Sequence, residues 1–152
     1  MSYVVEVDQS SKIGETGKAT VVAFADGKER AILIPAEVKQ KIVQELRRRG
    51  KGDTLYYLLF ATALYLLLKE DIEDIDQVTI DIEYRGKEAT IRGHLLNLLR
   101  RAGRRAEAEQ IQFARLTKRS AAHRVAIATL RKHRRPDHVV TLEELLRELP
   151  EK

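Results

Sequence analysis

Cysteine and tryptophan are absent from this chain, and proline occurs only three times in 152 residues. Without thiols there is neither a disulfide framework nor a thiolate metal site, and the composition suits a reducing cytosol, so a cytoplasmic location is expected. The first residues lack the basic-then-apolar pattern of a secretion signal. The longest apolar run, LYYLLFATALYLLL at 55–68, has 14 residues, short of the roughly 20 that span a bilayer. It reads as a buried helix, and no membrane partner is expected. Aromatic residues are scarce at 5%, and three of the five tyrosines fall in that run.

Charge is plentiful and unevenly placed. Lys plus Arg number 28 against 23 Asp plus Glu, a net +5. Residues 100–135 carry twelve Arg or Lys against Glu107 and Glu109 alone, whereas residues 69–90 carry eight acids against three bases. A stretch of one sign attracts polyanions by steering and counterion release, which makes nucleic acid, DNA or RNA, the expected partner. The competing reading is a heat-stable, thermophile-like surface, to which 34% charged residues and no cysteine also belong. An ion-pair network would interleave the signs, and this chain separates them. The lack of aromatics interleaved with the bases favours duplex or branched nucleic acid held by its backbone over single strands.

The chain reads as one domain, with a core over 1–135 and a short helix at 141–149. Residues 3–8 form a first strand. ATVVAFADGKERAILIP places two apolar runs around Asp26-Gly27, a hairpin signal because both residues tolerate positive φ. Pro35 suits the first turn of AEVKQKIVQELRRR, in which Val38, Ile42, Val43 and Leu46 share a face. A Thr54-led apolar helix follows; it is either wedged centrally or presents its outer face to a second subunit. DQVTIDIEY (76–84) alternates as strand four. Thr90 is expected to cap a helix ended by Gly103, and QIQFARL (110–116) gives strand five. Ser120 caps SAAHRVAIATLRKHRR, and Thr141 with Glu144 makes a capping box for a last helix stopped by Pro150. The pattern predicts an α/β fold with a mixed five-stranded sheet, three antiparallel strands followed by parallel additions, and helices on both faces.

In such a sheet, sites form where parallel strands end. Asp8 ends strand one and Asp81 lies late in strand four. If the two strands pair in parallel, the carboxylates meet at one rim, and like charges that close demand a cation or a raised pKa. Oxygen ligands favour Mg2+ or Mn2+, and a pair of such ions about 4 Å apart can activate water and stabilise the leaving oxygen of a phosphodiester. His123 shares a helical stripe with Ile127 and Leu130, so it is expected to face inward as a third ligand or proton shuttle; a histidine packed at a core edge is the competing reading. Glu83, on the face of Asp81, is either a further metal ligand or a surface charge pairing with Arg85 or Lys87. Glu6 is expected to be exposed or salt-bridged, and Glu45 to sit on a solvated helix face beside Arg47–Arg49. If Asp8 only starts a turn in some other mixed α/β fold, strand one need not touch strand four.

Three segments carry a resemblance. Asp8-Gln-Ser-Ser-Lys-Ile-Gly14 is similar to the D-x-G-[ST]-x-x-x-G turn of RuvC-type Holliday junction resolvases, members of the RNase H-like superfamily, although one residue shorter and with Ser10 in place of Gly. VTIDIEY resembles their V-x-I-E strand, with Asp81 at the acid. SAAHRVAIA resembles their D-A-A-D-A-[LV]-A-[IV]-A helix, with Ser120 at the first Asp and His123 at the second. The resemblance implies a metal-dependent nuclease, with Asp8, Asp81 and His123 catalytic, Asp8, Asp81, Glu83 and His123 around Mg2+ or Mn2+, and a homodimer. Lys12, Arg115, Lys118, Arg119 and Arg124 are best placed to meet phosphate. Arg100, Arg101, Arg104 and Arg105 would extend that track or satisfy a helix end, and the same choice stands for Lys132, His133, Arg134 and Arg135. The alternative function, motivated by Ser120 and the shortened turn, is a catalytically impaired module that binds nucleic acid or a protein.

Overall fold

The computed structural model describes residues 3–149. Strands β1 (Tyr3–Ser10), β2 (Thr20–Ala25) and β3 (Arg30–Ile34) precede helices α1 (Ala36–Arg48) and α2 (Leu55–Leu68). Then come β4 (Ile75–Asp81), α3 (Glu88–Arg101), β5 (Ile111–Ala114), α4 (Ala121–Leu130), β6 (His138–Val139) and α5 (Leu142–Glu148). All six strands join one mixed sheet in the order β5-β4-β1-β2-β3-β6. β1 runs antiparallel to β2 and parallel to β4, and β5 is added parallel to β4. Strand one therefore lies beside strand four, which removes the reading in which they are unrelated.

The expected five strands become six. His138-Val139 is too short to show a period, and its place beside Ile32 and Leu33 in β3 comes from tertiary pairing. Val140 N–H donates to the Leu33 carbonyl at 2.8 Å, and the Asp137 carboxylate accepts from the Ala31 N–H at 2.8 Å.

Alternation along the strands creates two unlike faces. Val5, Val7, Val22, Phe24, Ile32, Ile34, Val78 and Ile80 point into the main core with α2 and the inner sides of α1, α3 and α5. Val21, Ala23, Ala25 and Ala31 point the other way, against Ala122, Val125 and Ala126 of α4. Small side chains on both partners bring α4 close to that face. Twelve of the fourteen residues of α2 are buried within the chain, so the central placement holds, and the helix has no free outer face for a second subunit. Among the described residues no helix is long and apolar enough to cross a membrane.

Local rules set most boundaries. Asp26 and Gly27 both have positive φ, 93° and 92°, and a Cβ at Gly27 would stand 3.0 Å from the Tyr3 ring. At Gly103 (φ 80°) the N–H returns to Arg100 and that of Arg104 to Leu99, closing α3 with a Schellman turn. Ser120 accepts the His123 N–H, and Thr141 and Glu144 form their reciprocal box. Three expectations need correction. α3 starts at Glu88 after Lys87, so Thr90 lies inside its first turn and does not cap it. Pro35 is the N-cap of α1, one position earlier than expected. α4 stops at Leu130, short of Arg135, because Lys132 turns left-handed with φ 66°. Pro150, the expected stop of α5, lies outside the described residues.

Candidate metal centre

Register places the acids. Val7 pairs with Ile80, and both enter the main core, so the next residues, Asp8 and Asp81, emerge together on the α4 face. Asp8 faces Ala23 across β2 and is 8% exposed. Glu83 follows just beyond the end of β4. Carboxylate oxygens of Asp8, Asp81 and Glu83 all lie within 4.8 Å of one another, and this is the one such cluster among the described residues. Of the two readings of Glu83, the geometry matches the one beside the acids; Lys87 instead reaches over the Tyr57 ring, at 5.5 Å.

Asp8 and Asp81 are both anchored. Asp8 Oδ1 accepts the Gln9 N–H at 2.8 Å, and Asp8 Oδ2 lies 3.1 Å from His123 Nδ1. Asp81 Oδ1 accepts the Leu116 N–H at 2.7 Å, which ties the loop after β5 to the rim. His123 is half-buried. The buried face of α4 is Ala122, Val125, Ala126 and Thr129, so the stripe of His123, Ile127 and Leu130 lies at its half-buried edge, with the His123 ring turned toward Asp8. The histidine reaches the site from that edge by contacting Asp8, and it stands outside the three-carboxylate cluster.

The electrostatics oppose three free charges. Burial, opposed by the Gln9 N–H and reinforced by the charge of Asp81, pushes the Asp8 pKa up. Burial also lifts Glu83, to about 7; Asp81 adds to this by repelling its charge and by accepting a hydrogen bond from its protonated form. Lys12, exposed in the loop after β1, and the Gln9 amide act in the opposite direction. Gln9 is 7% exposed, and neither polar atom of its side chain has a partner of normal hydrogen-bond geometry. Three carboxylates within reach of one another make an oxygen donor set of the kind that suits hard divalent cations.

Two further residues, Lys39 and Tyr84, shape the surroundings of the acids. Lys39 is fully buried, and its ammonium donates to the Lys12, Glu15 and Lys18 carbonyls at 3.2, 2.7 and 2.7 Å and to Thr20 Oγ1 at 2.7 Å. It fastens the Lys12 loop, while burial pushes its own pKa down to about 8. The signal was available, since Lys39, Ile42, Val43 and Leu46 fall at helical spacing and are the buried stripe of α1. Tyr84, next to Glu83, packs edge-on against Tyr57 and Phe60, with centroids 5.4 and 5.7 Å apart. Burial and the Glu83 charge push its pKa up to about 12. Aromatics thus gather beside the acids, although no stretch of sequence interleaves them with bases.

Arg115, Lys118, Arg119 and Arg124 are exposed on the loop after β5 and the start of α4. Arg124 donates to the Arg119 carbonyl at 2.6 Å, bracing that loop. Two other expected members of the basic track, Arg100 and Arg104, are occupied locally. Arg100 binds the Ala106 carbonyl and Arg104 lies 3.7 Å from Glu70. Glu45 is held by Arg48 and Arg49 at 2.9 and 2.6 Å, which depresses its pKa to about 2 and keeps it away from the acids. Glu6 is half-buried and outside the cluster. No known protein family, curated protein or solved structure matches the chain.

Proposed function

We propose that the protein is a divalent-metal-dependent nuclease of RNase H-like type, acting on the phosphodiesters of structured or branched nucleic acid. The observation that carries this reading is the meeting of Asp8 and Asp81 on neighbouring parallel strands, with Glu83, inside 4.8 Å. Asp8, Asp81 and Glu83 would hold Mg2+ or Mn2+. Such an ion supplies Lewis-acid stabilisation of phosphoryl oxygen and a water of lowered pKa. Leu116 N–H fixes one oxygen of Asp81 and leaves the other for a ligand role. His123 spends Nδ1 on Asp8, and Nε2, which bonds to none of the described residues, can hold or release a proton at the rim. That role suits it better than direct ligation. Lys12, Arg115, Lys118 and Arg119 would grip phosphates on either side without reading sequence.

A second reading has its own support. The Ser120 hydroxyl is used as a helix cap where the resemblance asks for an acid, and Glu83 and Asp81 can settle their charge by sharing a proton. A module that binds nucleic acid or protein without cutting would look like this. Calorimetric titration with Mn2+, together with cleavage of a labelled four-way DNA junction, separates the two. Metal binding with cleavage, both lost in Asp8→Asn, supports the nuclease. Salt-sensitive junction binding with no metal heat at millimolar Mn2+ supports the module.

A further inference from the structure

The far end of α4 builds a feature unrelated to the acids. The helix closes with Lys132 in left-handed backbone (φ 66°), its N–H returning to Thr129 at 3.1 Å and that of His133 to Ala128 at 2.8 Å. The chain then doubles back along β3. Between the helix end and the sheet lies a half-open groove of about 350 Å3. Leu33, Leu130 and Pro136 give it an apolar floor, and Lys132, Arg134 and Arg135 a basic rim; no carboxylate lines it. Val139, the register partner of Leu33, is 46% exposed and carries the apolar strip to the sheet edge. Arg134 is already engaged by Glu29 and Asp137, at 3.6 and 3.2 Å. Lys132 and Arg135 are exposed and have no acidic partner among the described residues.

We propose that this groove docks an acidic peptide segment of a partner protein. One or two aliphatic side chains of the peptide would sit on Leu33 and Leu130, and flanking carboxylates would meet Lys132 and Arg135. Charge complementarity selects the acid, and the apolar floor favours aliphatic side chains over charged backbone phosphates. The volume is near the lower limit, about 300 Å3, for pockets that enclose a small molecule, and the groove is open along one side, as a peptide requires. It stands apart from the acids, because Leu130 is seven residues from His123, roughly 10 Å along the helix.

The test is fluorescence anisotropy of the whole chain with a fluorescein-labelled dodecapeptide of Glu-Leu-Leu-Glu repeats at low salt. The proposal expects binding that is lost when Ser replaces Leu or Lys replaces Glu in the peptide. The double variant Lys132→Gly, Arg135→Gln should weaken binding about ten-fold or more. Its Tm should stay equal or rise, since glycine is the natural residue for that turn. Three results would overturn the proposal: no binding at millimolar peptide, equal binding by the Ser peptide or the double variant, or displacement by a short DNA duplex. The last would assign the groove to nucleic acid.

Discussion

The carboxylate of Asp8 and the imidazole of His123 are 115 positions apart in the chain and 3.1 Å apart in the fold. One lies two residues before the end of β1, on the sheet face that α4 covers, and the other sits in the first turn of α4. The contact lets Asp8 be buried beside Asp81, because a ring nitrogen compensates part of what burial costs the charged carboxylate.

Replacing Asp8 by Asn keeps the shape and one carbonyl acceptor but removes a charge from a crowded site. Asp8→Asn is expected to abolish Mn2+ heat in calorimetry and any Mg2+-dependent cleavage, with Tm in metal-free buffer unchanged or higher. Undiminished metal binding in this variant would mean that Asp8 is not a ligand.

The acids also predict a pH dependence. Asp8 and Glu83 have folded-state pKa values above their unfolded ones, Glu83 at about 7. Their contribution is therefore full below the unfolded carboxylate range and is lost as pH rises through the folded values. Metal-free Tm should fall between about pH 5 and about pH 8, Mn2+ should restore it mainly at the upper end, and Glu83→Gln should flatten the profile. Thermal melts at the two pH values, with Mn2+ and with a chelator, measure all three effects; a profile identical in Glu83→Gln would remove this residue from the account.

Lys39→Met strips the donor from three carbonyls and a hydroxyl. Leaving such groups buried and unpaired should cost about 3 kcal/mol, or a fall in Tm of about 10 °C for a chain of this size. Denaturant unfolding gives the number, and a loss well under 1 kcal/mol would show that water can take over the lysine's role.

If Arg115, Lys118 and Arg119 contact phosphates, changing all three to Gln should weaken duplex binding at every sequence. The slope of log K against log[salt] should become shallower by about 0.9 per contact. Mn2+ binding should be untouched. An unchanged slope in filter-binding or anisotropy titrations would move the nucleic-acid surface elsewhere.

Local sequence rules account for much of this molecule. The 14 residues of α2 were legible from an apolar run of helical length, and the caps at Ser120 and Thr141 from the reach of a hydroxyl to the N–H three residues on. Alternation in VTIDIEY put Asp81 and Glu83 on one side and Ile80 on the other, because successive strand side chains point to opposite faces. What these rules could not supply was any distance between segments. Sequence alone leaves Glu83 equally suited to Arg85 or Lys87 and to the acids, and the pairing of β4 with β1 brings it beside Asp8 and Asp81. β6 is two residues long and exists as a strand only because β3 offers it an edge. Lys39 is buried because three carbonyls of the Lys12 loop and the Thr20 hydroxyl of β2 close on its ammonium. Periodicity and capping are properties of a few consecutive residues and can be read in one dimension, whereas the acid cluster, the buried ammonium and the basic groove depend on which strands and loops share a layer, and that is decided only when the sheet assembles.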